Sequence, residues 1–402
     1  MSMFVRLSIT RVTHEGHRDF FGFLGCGSGR GGAGCGSWEG IGMTWLSNDL
    51  TVRTGAPTAI FSPAAYPFVR QKTQHVIYQG FGDGSGDGQV HELWWDGQWN
   101  HNNLTSQTDA PLIAGEPWGY VYEDQPGGST QHVVYQGLVP GSGPDGRVQE
   151  IWWDDDKNHH QLTSGVPPLV DRPFGYSFEV GQHIVYRAAN TLRFLDMEED
   201  FGWLESDLTP YMAGTIPYLP PTAYGFTAEK THHIIYAGSD RHVHELWKGA
   251  SGGFHHHDLT QAAGSTVLAD GMPVGFANNP GFRQIVSFVG TDGHLHQLTW
   301  DGSWHEQDLT ATVGGLPPSA GAVPTGYLYP SEGTLHVDYL GVDSHIHEYW
   351  QDDQGWHPSD LTARTGVHAS RSNPAAYVMP DNTQHVVFID DDRHVVELYW
   401  LP

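Results

Sequence analysis

The residues best suited to chemistry in this chain recur as a histidine, a carboxylate and an aromatic side chain. The histidine stands in segments reading His-Val-Ile-Tyr or a variant, at His75, His132, His183, His233, His336 and His385. The carboxylate stands in segments reading Val-His-Glu-Leu-Trp or a variant, at Glu92, Glu150, Glu245, Glu348 and Glu397. A carboxylate accepts hydrogen bonds from two neighbouring hydroxyls, an imidazole donates or accepts, and an indole face covers C–H groups. Such a set suits a sugar. Sets with all three types, allowing Phe for Trp, are His75/Glu92/Trp99, His233/Glu245/Phe254, His336/Glu348/Trp356 and His385/Glu397/Trp45. The same His and Glu would be cross-strand neighbours in a hairpin, each satisfying the other, and the sequence leaves both uses open.

Other chemistries find little support. No Gly-x-Ser-x-Gly, His-Glu-x-x-His or P-loop occurs. Cys26 and Cys35 sit in the Gly-rich stretch GCGSGRGGAGC, which suits reduced thiols or a local disulfide better than a zinc pair. His255, His256 and His257 are adjacent, so on a strand at most two share a face. The other histidines mostly follow the repeat, which spreads them out instead of gathering them. No metal site and no cofactor is therefore predicted. Paired carboxylates assembled at the axis of a ring would be the route to glycoside hydrolysis.

The elements that must position these side chains follow from an internal repeat. Leu-Thr preceded by Asp, Asn or Gln recurs seven times, ending at Thr51, Thr105, Thr163, Thr209, Thr260, Thr310 and Thr362. Six residues before each Thr stand Trp45, Trp99, Lys157, Trp203, Phe254, Trp304 and Trp356. A further segment, Pro-x-Gly-Tyr or a variant, places aromatics at Tyr66, Tyr120, Tyr176, Tyr327 and Tyr377, with Phe at 226 and 276. All segments are short, rich in β-branched and aromatic residues, and bounded by Gly, Pro, Asp or Asn. Four short strands per unit of about 50 residues, seven times over, predict an all-β, seven-bladed β-propeller. After Thr362 only three strands remain, and the missing fourth stands at the other end as Trp45–Thr51. The N-terminal strand is thus expected to complete the last blade and remove two open edges. The predicted domains are a 1–43 arm with a Gly-rich linker and a 44–402 propeller. Within the arm, Phe4–Val12 is a possible extra strand.

The unit His-Val-Ile-Tyr, a turn, Val-His-Glu-Leu-Trp-Trp, then Trp-x-x-x-Asp-Leu-Thr resembles the repeat of fucose-specific-lectin-like propellers. The resemblance spans about 45–402, and seven units are similar to the bacterial branch, whereas the fungal lectins have six blades. It implies monosaccharide pockets between neighbouring blades. In the fungal branch each pocket uses an Arg on the second strand, a Glu on the third and aromatic side chains. The Arg position is here His75, His132, His183, His233, Ile285, His336 and His385. The Glu position is Glu92, Glu150, Phe194, Glu245, Gln297, Glu348 and Glu397. The implied partner is a mono- or oligosaccharide of the fucose, galactose or O-methylated class. Units two, three and five each depart differently from the pattern, as one specialised place would require. Some fungal relatives are hetero-Diels–Alder cyclases, so the alternative is a non-hydrolytic enzyme taking a small apolar molecule, with an interaction scaffold third.

Charge and length bound the rest. Lys+Arg 19 against Asp+Glu 46 gives a formal charge of −27, which disfavours a nucleic-acid partner. No apolar run is long enough for a membrane span, and the start shows no secretory h-region, so a cytoplasmic protein, or one released by another route, is expected.

Overall fold

The computed structural model describes residues 44–402 apart from 124–127, 199–201 and 250–251. The expected arm and linker at 1–43, with the Phe4–Val12 segment and both cysteines, lie outside the described residues. Seven antiparallel sheets follow one another, each of four strands, with a short extra segment, Leu112–Ile113, in the second. Blade one comprises Ala64–Phe68, Thr73–Gly82, Ser85–Trp95 and Trp99–Asn103. Blades two to six repeat this order, with first strands at Trp118–Glu123, Phe174–Phe178, Thr222–Phe226, Val274–Asn278 and Thr325–Tyr329. Blade seven takes Ala375–Val378, Gln384–Ile389 and Val395–Trp400 from the C-terminal end. Its fourth strand is Trp45–Asp49, paired from Trp45↔Trp400 to Asp49↔Val396. The first strand of each blade touches those of its two neighbours, and the ring closes between blades seven and one. Among the described residues no helix is long and apolar enough to cross a membrane.

The Leu-Thr mark has a structural use. In five units the residue before it caps a single helical turn, as Asp308 Oδ1 does by accepting from Ala311 N at 2.8 Å. The Leu is fully buried, as at Leu309. The Thr hydroxyl then accepts a backbone N–H at the head of the third strand. Thr310 Oγ1 does so from Leu295 at 2.9 Å, and Thr51 Oγ1 does so from Val395 across the closure.

The core lies between blades, as a set of clusters each drawn mainly from two adjacent sheets. Aliphatic side chains from the second and third strands fill it with the recurring aromatics. Tyrosines of the first strands then cross six of the seven junctions. Tyr66, Tyr120, Tyr224 and Tyr327 donate to Gln131, Gln182, Gln284 and Gln384 of the following blade, at 3.4, 3.4, 2.9 and 3.0 Å. Tyr377 donates to Gln74 at 2.9 Å, which closes the series across the chain ends. At the junction of three and four His232 replaces Gln, 3.1 Å from the Tyr176 hydroxyl. At five and six the pair is Phe276 and Leu335, apolar on both sides.

Candidate functional site

The recurring histidines and glutamates form one repeated unit. His75 Nδ1 lies 2.8 Å from Glu92 Oε1, while His75 Nε2 meets Thr73 Oγ1 at 2.8 Å. The same bonds to glutamate join His132–Glu150, His233–Glu245, His336–Glu348 and His385–Glu397, at 2.9, 2.7, 2.7 and 2.8 Å. Each imidazole also stacks on the first-strand tyrosine, as His336 does on Tyr327 at 4.9 Å. All ten side chains are buried. Burial first, and the nearby glutamate second, raises the phenols of Tyr66, Tyr120, Tyr224 and Tyr377 well above their usual range, so they remain neutral donors. Burial alone would raise Glu245; hydrogen bonds from His233 and His257 outweigh it and hold the carboxyl below its usual value. Of the two uses the sequence left open, the cross-strand ladder is present.

The aromatic members of the expected sets fall elsewhere. In blade one Glu92 lies opposite Ile77, whereas Trp99 lies opposite Trp95, three residues past Glu92. Successive side chains on a strand alternate between faces, so Trp99 points away from Glu92. Glu92 faces blade two, and Trp99 packs with Tyr377 and Val387 of blade seven. The groupings His75/Glu92/Trp99, His233/Glu245/Phe254, His336/Glu348/Trp356 and His385/Glu397/Trp45 are therefore each split between two junctions. Four of the five His–Glu pairs instead face the aromatic of the next blade, whereas His75/Glu92 faces the blade that carries Lys157 at that position. His233/Glu245 meets Trp304, His336/Glu348 meets Trp45, and His385/Glu397 meets Trp99. His132/Glu150, which lacks an aromatic in its own repeat, gains Trp203. The parity of the spacing was the available signal for this.

Two junctions depart further. In blade three Phe194 takes the glutamate position, but Asp196, two residues on and on the same face, lies 2.9 Å from His183 Nδ1. The expected loss of a carboxylate there is thus corrected by the strand itself. His232 sits at this junction, and burial first, with His183 and Lys248 adding repulsion, pushes its pKa down to about 3. Between blades five and six, Ile285 and Gln297 replace His and Glu, and a broad polar cavity of about 960 Å³ opens there, lined by Arg283, Asp301, Glu306 and Asp352 among others.

Between blades two and three lies a different cavity, of about 410 Å³. Trp152 and Trp203 supply its aromatic walls, His160 and Gln182 its polar sides, and His132 with Glu150 its floor. Elsewhere the second glutamate oxygen is mostly taken. Asn102 donates to Glu92 Oε2 and Asn48 to Glu397 Oε2, both at 2.7 Å, and His257 lies 3.4 Å from Glu245 Oε2. Glu150 Oε2 has no such partner among the described residues, and it lines a cavity. A smaller cavity, of about 190 Å³, lies where the first strands of all seven blades converge, with Trp118, Phe174 and Arg172 on one side and mostly small residues on the other.

No family model matches the sequence, and no curated protein matches it. Among solved structures the chain is similar to the BP39L lectin from Burkholderia pseudomallei, at 14% identity and a TM-score of 0.63, covering 86% of this chain and 96% of that one. It also matches AofleA from Arthrobotrys oligospora, at 16% identity and a TM-score of 0.47 over 91% of this chain and 90% of that one. The six-bladed fucose-recognising lectin of Aleuria aurantia matches at 15% identity and a TM-score of 0.46, over 71% and 91%. The chain is thus a seven-bladed β-propeller, and it shares its fold with the Burkholderia lectin.

Proposed function

We propose that the protein is a carbohydrate-binding propeller whose foremost site is the cavity between blades two and three. The observation that carries this reading is Glu150, a carboxylate with one free oxygen at the floor of a cleft walled by Trp152 and Trp203. The free oxygen suits a sugar diol, and the indoles suit the apolar face of a small pyranose such as fucose. The shared fold with a protein described as a lectin supports it. The equivalent positions at junctions four–five, six–seven and seven–one carry the same side-chain types and would serve as weaker sites. Small ligands in shallow clefts bind with dissociation constants on the order of 10⁻⁵–10⁻³ M. Titration calorimetry with methyl α-L-fucoside, galactose and an O-methylated hexose tests the proposal. Binding of at least one of them should fall at least about tenfold in Glu150→Gln and Trp203→Ala, a loss near the 1.4 kcal/mol that one hydrogen bond or stacking face supplies. Absence of heat with all three, or titrations unchanged by both substitutions, would overturn it.

A further inference from the structure

Three consecutive blades carry a histidine–aspartate pattern, away from the His–Glu pairs of the junctions. It reads Asp-x-His-x-His at Asp240–His244, Asp292–His296 and Asp343–His347, with the helix-capping aspartate of the same blade brought alongside. In blade six one donor atom each from Asp343, His345, His347 and Asp360 falls within 4.8 Å of every other. His345 Nδ1 lies 2.9 Å from Asp360 Oδ2 and 3.7 Å from Asp343 Oδ2, and His347 Nε2 lies 3.2 Å from Asp343 Oδ2. A tetrahedral zinc ion with bonds of about 2.0–2.1 Å requires ligand–ligand edges of about 3.4 Å. The observed edges bracket that length.

The backbone holds both carboxylates in place. Asp360 Oδ1 accepts from Ala363 N at 2.8 Å, and Asp343 Oδ1 accepts from His345 N at 3.1 Å. Each aspartate therefore has a second oxygen, Oδ2, directed into the cluster. This is the outer support that metal ligands ordinarily have.

What separates blade six from its neighbours is Pro358. At that register position blades four and five carry His256 and Glu306. His244 Nδ1 meets His256 Nε2 at 3.2 Å, and His296 Nδ1 meets Glu306 Oε1 at 2.7 Å. His296 thereby meets carboxylates with both nitrogens. Proline offers no such partner, and among the described residues His347 Nδ1 makes no hydrogen bond. The ring can keep its single proton there and present Nε2 as a lone pair. Two neutral imidazoles and two carboxylates carry a charge of −2, matched by one divalent cation.

We infer that Asp343, His345, His347 and Asp360 form a binding site for one divalent transition-metal ion, zinc above all, which clips the head of the third strand to the helical turn of blade six. Nitrogen and oxygen donors in tetrahedral array suit zinc, and cobalt serves as its coloured substitute. The test uses the full-length protein, stripped with chelator, then titrated with Zn²⁺ by calorimetry and with Co²⁺ by visible absorption. One equivalent should bind, and Co²⁺ should give the intense d–d bands of a tetrahedral site. His345→Gln and Asp360→Asn should each weaken binding at least about tenfold, the lower bound seen even for outer supports. Asn retains the helix cap, so Asp360→Asn should unfold at the wild-type temperature in chelator. Pro358→Glu should weaken binding as well, and Asp308→Asn in blade five should leave it unchanged. No saturable uptake, an octahedral cobalt spectrum, or uptake unaltered by both His345→Gln and Asp360→Asn would overturn the inference.

Discussion

Asp338 shows how one residue can set its blade apart. At its register position, opposite the ladder glutamate or its replacement, the other blades place Ile77, Val134, Val185, Ile235, Ser287 and Val387. Asp338 is fully buried, and neither carboxyl oxygen has a hydrogen-bond partner. Burial, and then the charge of Glu348, raises its pKa well above the usual carboxylate value. The folded protein therefore holds a proton that the unfolded chain releases near pH 3.9. That contribution is fully present below about pH 4 and is lost as pH rises towards the folded pKa. Asp338→Val, which copies blades two and seven, should raise stability at pH 7–8 by about 1–3 kcal/mol, the cost of a buried unpaired polar group. The gain should shrink towards pH 4. Calorimetric melting of both proteins from pH 4 to 8 checks it, and a gain independent of pH would show that the carboxyl is not the cause. This aspartate is visible in the sequence as a charge inside Leu-His-Val-Asp-Tyr-Leu, yet only the packed junction reveals that nothing answers it.

Within a blade, the single helical turn explains why Leu-Thr recurs. The Leu fills the junction core, and the Thr oxygen satisfies a backbone donor that no strand reaches. Thr310→Val keeps the shape and removes the acceptor, leaving the Leu295 N–H buried and unpaired. A loss of about 1–3 kcal/mol is expected, measurable by urea unfolding with an unchanged m-value. An exposed threonine such as Thr266, in a connecting loop, should tolerate the same change within about 0.5 kcal/mol. The strands, their order and the closing strand were legible from spacing alone, because each rests on local pattern. The membership of each junction was not. It depends on which face of a sheet a side chain occupies, and grouping within one repeat conceals the pairing of Glu150 with Trp203. The free Glu150 oxygen was equally hidden, since its neighbours at Glu92 and Glu397 differ only by an asparagine on the adjacent strand.

For the whole molecule the closure decides stability. Trp45–Asp49 fills the edge of blade seven, Asp49 Oδ2 meets His394 Nδ1 at 2.7 Å, and Tyr377 reaches Gln74. Removing residues 1–43 should leave a cooperatively folding propeller, whereas removing 1–52 should expose two edges and abolish cooperative unfolding. Equal melting curves for the two truncations, read by circular dichroism and scattering, would refute that role for the closing strand. The tyrosine–glutamine rungs carry one more consequence. Each rung joins two successive repeats, so no repeat completes a rung by itself. Where the tyrosine became Phe276, the change that suits it, Leu335, lies in the following repeat. Blade six transplanted alone would arrive with half of each of two junctions, and its Leu335 would answer no tyrosine of a new neighbour. The portable module is the junction, and a graft cut through the middle of two adjacent sheets should keep the ring intact where moving blade six whole strands a tyrosine hydroxyl opposite Leu335.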